Sequence, residues 1–232
     1  MPLFDLFERL IVISLPYRSD RRRREMVAQF ARLGLSMEDS RITMFDAIRP
    51  EEAGGFESVG ARGCFESHLA VLRLCSEARS VLILEDDTDF APDIRKLLAA
   101  AMSALPADWS IFYGGGHGLP ASRGGVVTRA PAAIGITSSH FIAFSGGAIR
   151  RAAACLEAIS SREPGDPRGG PMHVDGAYGH FRAANTDLQT WAATPALGHQ
   201  RASRTDIHPL RWFDRWVFIK GVAGLLRRAT RR

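Results

Sequence analysis

Residues 80–87 read Ser-Val-Leu-Ile-Leu-Glu-Asp-Asp, a run of apolar side chains followed at once by three acids. A short apolar run of this kind is typical of a buried β-strand. Outward from this segment, similar runs predict further strands, and helical spacing of apolar residues predicts helices between them. The predicted strands span residues 10–15, 41–47, 110–113, 139–144 and 188–192, and the predicted helices span residues 20–33, 63–78, 147–159 and 174–184. A further helix is predicted after the acids, with Pro92 near its first turn and apolar residues from Leu97 to Leu105 inside. This alternation predicts an α/β fold with a parallel or mixed central sheet.

The three acids Glu85, Asp86 and Asp87 lie where α/β sheets bind ligands, beyond the carboxyl end of a strand. Because side chains alternate along an extended chain, Glu85 and Asp87 share one face. Two carboxylates at this spacing suit Mn²⁺ or Mg²⁺, which leave coordination positions for phosphate oxygens. The alternative is an acidic turn that caps the next helix and stays in water. A phosphohydrolase or a nucleotidyltransferase could use the same cluster.

The composition, with 46% hydrophobic and 24% charged residues, is that of an ordinary globular protein. The net charge is +5, and the arginines at positions 21–24 attract phosphate groups or form a solvated helix face. No nucleic-acid-binding motif accompanies the basic runs, so we expect no nucleic-acid partner. The three cysteines, Cys64, Cys75 and Cys155, argue against a disulfide framework and against a zinc site. They favour a cytoplasmic setting, as does the lack of a signal-peptide pattern.

The last residues of the chain form a distinct segment. We predict a main domain over residues 1–205 and a basic amphipathic tail over residues 206–232, in which apolar and basic positions alternate. A helix of this kind can lie in a membrane interface, with Trp212 and Trp216 at headgroup depth and arginines on phosphates. We therefore expect peripheral contact with the inner leaflet, and the alternative is a helix packed on the domain.

Three segments carry a resemblance to a known family. They are Val12-Ile13-Ser14-Leu15 followed by Asp20-Arg21-Arg22, then Gly60 to His68 with the sequence Gly-Ala-Arg-Gly-Cys-Phe-Glu-Ser-His, and Leu84-Glu85-Asp86-Asp87. In this order they resemble glycosyltransferase family 25, the lipooligosaccharide galactosyltransferases of Gram-negative bacteria and their collagen-modifying relatives. The resemblance covers about the first 150 residues, and weaker similarity continues at Gly146-Gly147 and at Gln200.

The resemblance implies a GT-A-like fold, a Rossmann-type mixed sheet flanked by helices. It implies inverting, metal-assisted transfer of a hexose, often galactose from UDP-galactose, to a lipid-linked or surface saccharide acceptor in lipopolysaccharide biosynthesis. Metal ligands would be Glu85, which also counts as catalytic, and Asp87. Donor-binding positions would be Leu15, Arg18, Arg21, Arg22, Ser67, His68, Asp86 and Gly114. Ser14 departs from the family, since many members have asparagine there.

An inverting transfer needs a base that takes the proton of the acceptor hydroxyl. Our candidate is Asp175, which follows a loop rich in proline and glycine at residues 162–171. The alternative for Asp175 is the N-cap of the next helix, and for His68 it is a purely structural role. A non-catalytic nucleotide- or saccharide-binding module on the same fold is the second hypothesis. The intact acidic triplet favours the enzyme.

Overall fold

The computed structural model describes residues 6–16, 19–120 and 124–201 of the chain. The strands are β1 (Arg9–Ser14), β2 (Ile42–Asp46), β3 (Ser80–Glu85), β4 (Thr88–Phe90), β5 (Ile111–Tyr113), β6 (Val127–Arg129), β7 (Phe141–Ser145), β8 (Thr190–Ala193) and β9 (Gly198–Gln200). The helices are α1 (Ser19–Leu33), α2 (Val59–Leu74), α3 (Ile94–Ala104), α4 (Gly147–Ser160) and α5 (Val174–Ala184). The predicted boundary after residue 205 and the predicted C-terminal helix lie outside the described residues.

Seven strands form one mixed sheet in the order β2-β1-β3-β7-β5-β8-β6. Strand β1 pairs in parallel with β2 and β3, whereas β7 runs antiparallel between β3 and β5. Helices cover both faces of the sheet, so the predicted fold class, a Rossmann-type mixed sheet flanked by helices, is confirmed. None of the helices in the described residues is both long enough and apolar enough to cross a bilayer.

The side chains of β1 and β3 point alternately to the two faces of the sheet and contribute to a hydrophobic core on each face. Leu10 and Leu82 pack with apolar residues of α1 and α3 on one face of the sheet. Ile11 and Val81 pack with apolar residues of α2, α4 and α5 on the other face. Because both faces are covered, these strands read as continuous apolar runs rather than as an alternating pattern.

Two short strands next to the acids were absent from the sequence prediction. β4 begins at Thr88, immediately after the acidic triplet, and pairs antiparallel with β9 in a separate two-stranded sheet. Its segment is too polar and too short to show a strand pattern. The pairing brings Gln200 and Arg201 from the end of the described chain to the acids at the end of β3.

Candidate active site

The acidic triplet lies where β1 and β3 end side by side. Ile13 of β1 is in register with Glu85, and the peptide N–H of Asp86 donates to the carbonyl oxygen of Ile13 at 3.1 Å. The alternation of the strand places Asp86 on the α1 side of the sheet and Glu85 on the α2 side. The consecutive acids therefore meet different partners.

Asp86 is buried and both of its carboxylate oxygens are bound by protein groups. The hydroxyl of Ser14 donates to Oδ2 at 2.7 Å, and Nη1 of Arg22 pairs with Oδ1. The same Arg22 nitrogen lies 3.8 Å from Oδ2 of Asp87. Arg22 thus compensates charge within the triplet, and Asp86 holds the arrangement together.

The predicted donor-binding arginines differ in exposure and in the acids they contact. The Arg22 side chain is 16% exposed at the acids, whereas that of Arg21 is 83% exposed and pairs with Glu25 one turn away at 2.8 Å. Both lie on α1, but neighbouring helix positions point about 100° apart. Arg18 lies outside the described residues, and Leu15 is half-buried directly after β1. The structure therefore brings only Arg22, among the described arginines of this prediction, to the triplet.

The two carboxylate oxygens of Asp87 differ in their hydrogen bonding. Oδ2 accepts a hydrogen bond from Nε2 of Gln200 at 3.3 Å, but Oδ1 is buried and meets no donor among the residues described. Burial, followed by the charge of Glu85, raises the pKa of Asp87 to about 7. A cation beside such an oxygen would offset both the desolvation and the repulsion. The pair Glu85 and Asp87 therefore fits the divalent ion that the sequence predicts.

Glu85 faces α2, where His68 and Cys64 lie one turn apart. Oε1 of Glu85 is 3.5 Å from Nε2 of His68, and Nδ1 of His68 contacts the Tyr178 hydroxyl at 3.1 Å. Burial raises the pKa of Glu85, but His68, His140 and Arg22 outweigh this effect, so that the net pKa is lowered. Glu85 is thus held ionised beside a fully buried imidazole.

The Cys64 thiol belongs to the same cluster. One ligand atom each from Cys64, His68 and Glu85 lie within 4.8 Å of one another. Burial and the nearby carboxylates of Glu85, Asp175 and Asp87 raise the pKa of this thiol well above its usual value. The sequence argument against a zinc site considered only the spacing between cysteines, and it missed a mixed set assembled from a helix and a strand end.

Two predicted donor-binding positions have structural tasks that explain them. The buried hydroxyl of Ser67 donates to the Gly63 carbonyl at 2.6 Å and accepts from the Ile48 N–H at 2.8 Å. A Cβ added at Gly114 would lie 2.3 Å from the ring of Phe141. The geometry therefore favours a positioning role for Ser67 and a packing role for Gly114 over the direct donor contacts predicted for them.

Asp175, the candidate base, is half-buried in the first turn of α5. His173 occupies the N-cap, so the alternative that Asp175 caps the helix is wrong. Oδ2 accepts from the Ser138 N–H at 3.1 Å, and Oδ1 accepts from the Gly176 N–H at 2.8 Å. Burial is the main cause of the raised pKa values of Cys64 and Tyr113, and the charge of Asp175 adds to both shifts.

A hydrogen-bonded chain joins the candidate base to Asp87. The backbone of Ser138 has a φ of 72°, rare for a residue other than glycine. While its N–H donates to Asp175, its hydroxyl donates to Oε1 of Gln200 at 3.1 Å and lies 2.6 Å from Nδ1 of His140. Nε2 of Gln200 then donates to Asp87. Sequence reasoning missed Ser138, and only the weak similarity at Gln200 pointed toward this end of the chain.

Comparison with known proteins adds little to this geometry. No protein-family model and no curated protein matches the chain. Among solved structures, it is similar to the crystal structure of a glycosyltransferase involved in the glycosylation of the major capsid of PBCV-1. The two share 10% sequence identity with a TM-score of 0.38, over 81% of this chain and 93% of the other. A TM-score this low carries no argument about activity, so family membership stays a prediction from the motifs.

Proposed function

We propose that this protein is a metal-dependent glycosyltransferase that moves a hexose from a nucleotide-diphosphate sugar to a saccharide acceptor. The single observation that carries the proposal is the buried Oδ1 of Asp87, which meets no donor among the described residues, beside the ionised Glu85 at the carboxyl end of β3. UDP-galactose as the donor, inversion at the anomeric carbon and a role in lipopolysaccharide or lipooligosaccharide synthesis are proposed from the three sequence segments that resemble family 25.

Each residue of the triplet has a separate task in this proposal. Glu85 and Asp87 would hold Mn²⁺ or Mg²⁺, which neutralises the diphosphate of the donor as it leaves. Asp86, held by Ser14 and Arg22, keeps the strand end in place. The Arg22 guanidinium beside Asp86 and Asp87 would contribute positive charge next to the departing diphosphate.

Asp175 would accept the proton of the attacking acceptor hydroxyl. The Ser138 and Gly176 N–H groups hold its two oxygens in fixed directions, and a carboxylate can accept a proton from a hydroxyl within hydrogen-bond reach. The chain through Ser138 and Gln200 ties this base to Asp87. The base and the metal-binding acid are thereby kept in one arrangement, as a single displacement reaction requires.

The acceptor and the location are proposed from the sequence. A lipid-linked saccharide on the inner leaflet would match a cytoplasmic enzyme whose tail, residues 206–232, lies in the membrane interface. Attachment would confine the enzyme to the surface that carries its acceptor and raise the effective concentration of that acceptor.

The test is a panel of UDP-hexoses and other nucleotide sugars, each with Mn²⁺, Mg²⁺ or EDTA, scored for released nucleotide diphosphate. We expect release from a UDP-hexose that requires a divalent ion, and a product of inverted anomeric configuration by NMR when a saccharide acceptor is present. Release that persists unchanged in EDTA would contradict the metal role. Metal-dependent nucleotide binding without any turnover across the panel would instead identify the non-catalytic module.

A further inference from the structure

Two neighbouring turns of α2 present a thiol and an imidazole to the end of β3. Cys64 and His68 are four residues apart, so their side chains lie on one face of the helix. Glu85 is the last residue of β3 and faces the same helix. The three groups thus come from two rigid elements that the main core holds together.

The separation of the three ligand atoms fits one small cation. A tetrahedral zinc ion bound to sulfur, nitrogen and oxygen holds its ligand atoms about 3.3–3.6 Å apart. Nε2 of His68 and Oε1 of Glu85 are 3.5 Å apart, and all three ligand atoms lie within 4.8 Å of one another. Because no separation exceeds 4.8 Å, an adjustment of the Cys64 side chain on the order of 1 Å would complete the set.

The His68 imidazole has one ring nitrogen without a hydrogen-bond partner among the described residues. His68 is fully buried, and in the part of the chain that the structure describes its Nε2 makes no hydrogen bond. Its other nitrogen, Nδ1, contacts the hydroxyl of Tyr178 at 3.1 Å. This contact fixes the orientation of the ring, so that Nε2 faces Oε1 of Glu85 at 3.5 Å. Metal-binding histidines in proteins are oriented by the same kind of outer hydrogen bond.

We propose that Cys64, His68 and Glu85 bind one ion of the zinc class, with a fourth position open. Thiolate and imidazole ligands select zinc or cobalt over Mg²⁺ and Mn²⁺, which prefer oxygen. On binding, the Cys64 thiol releases its proton to solvent and the sulfur forms the bond to the metal. The site shares Glu85 with the proposed donor site but does not rest on the proposed function. Its occupation would draw Glu85 away from Mn²⁺, so that zinc inhibits the transfer reaction.

The experiment is a titration of the metal-free full-length protein with Co²⁺, followed by absorption spectroscopy. We expect one Co²⁺ per chain, a thiolate-to-cobalt charge-transfer band in the near ultraviolet, and loss of the band when Zn²⁺ is added. Cys64→Ser should abolish the band and weaken binding by more than about 10-fold. The matched control is Cys155→Ser, a half-buried cysteine on α4, which should keep the band.

Two further measurements keep the result decisive. Asp87→Asn should retain the cobalt band while losing metal-dependent nucleotide release, which separates this site from the proposed function. X-ray absorption of the zinc-loaded wild-type protein should show one sulfur neighbour at about 2.3 Å, whether or not the Cys64 variant folds. A zinc shell of oxygen and nitrogen alone, or a cobalt band that survives in Cys64→Ser, would overturn the proposal.

Discussion

The hydroxyl of Ser14 donates a 2.7 Å hydrogen bond to Oδ2 of Asp86, and this bond joins the carboxyl ends of two parallel strands. It anchors the middle acid of the triplet on the α1 side of the sheet. Glu85 is left facing α2, and Asp87 is left with an oxygen that no described donor reaches. The different environments of the three consecutive acids therefore depend on a residue 72 positions before Asp86 in the chain.

Ser14→Ala tests this anchoring. The substitution leaves a buried carboxylate oxygen of Asp86 without its donor, which should lower the free energy of unfolding by about 1–3 kcal/mol. Urea denaturation followed by circular dichroism measures the change. Ser161→Ala, at the exposed C-cap of α4, is the control and should stay within about 0.5 kcal/mol of wild type. Equal stability of the two variants would show that the bond does not anchor the triplet.

Arg22→Ala and Arg21→Ala form a matched pair on the same helix. Removing Arg22 takes away the cation beside Asp86 and Asp87, so we expect weaker donor binding and a loss of stability of about 1–3 kcal/mol. Removing the exposed Arg21 should change stability by less than about 0.5 kcal/mol. Calorimetric titration with UDP and Mn²⁺ measures the binding. If Arg21→Ala weakens it as much as Arg22→Ala does, the assignment of Arg22 alone to the donor site is wrong.

Asp87→Asn should separate activity from stability. The amide removes the repulsion with Glu85, so the metal-free protein should unfold at the same temperature as wild type or higher. Metal-dependent release of nucleotide diphosphate should fall by at least about 100-fold. Thermal unfolding and a coupled release assay report the two quantities, with the exposed Asp93→Asn as control. A variant that keeps its metal-dependent activity would remove Asp87 from the metal site.

Asp175→Asn should act on the chemical step alone. The amide oxygen can still accept from the Ser138 N–H, but the side chain can no longer take a proton. We expect kcat to fall by about 10²–10⁴-fold while the dissociation constant of the donor nucleotide stays within about twofold. The control is Asp166→Asn, which breaks a surface pair with Arg168 in the loop before α5. A variant with normal kcat would show that another group is the base.

Deletion of residues 212–232 tests the membrane prediction. The truncated protein should bind less to vesicles that contain anionic lipid, because it has lost the tryptophans and the basic end of the tail. Its turnover of a soluble acceptor should match that of the full chain. Vesicle co-sedimentation measures the first quantity and nucleotide release measures the second. Equal sedimentation of both forms would argue that the tail does not reach the membrane.

Much of the fold follows from local patterns. The run at residues 81–84 predicts the central strand, and apolar spacing predicts α1, α4 and α5 to within a residue or two. The buried face of a helix or strand shows as a periodic pattern of apolar residues within a short segment. This pattern can be read directly from the sequence. For the same reason the sequence predicts that the acids directly follow a buried strand, and the structure ends β3 at Glu85.

The partners of these acids were decided by long-range packing. Gln200 reaches Asp87 across 113 residues through the pairing of β4 with β9. Ser138 reaches Asp175 through a left-handed backbone conformation that no local sequence pattern predicts. The same packing sets Cys64 and His68 against Glu85, although the cysteine spacing argued against a zinc site. Hydrophobic periodicity records which face of an element is buried, but it carries no information about which polar groups meet where the elements end. That outcome depends on how the sheet, its helices and its short edge strands pack together.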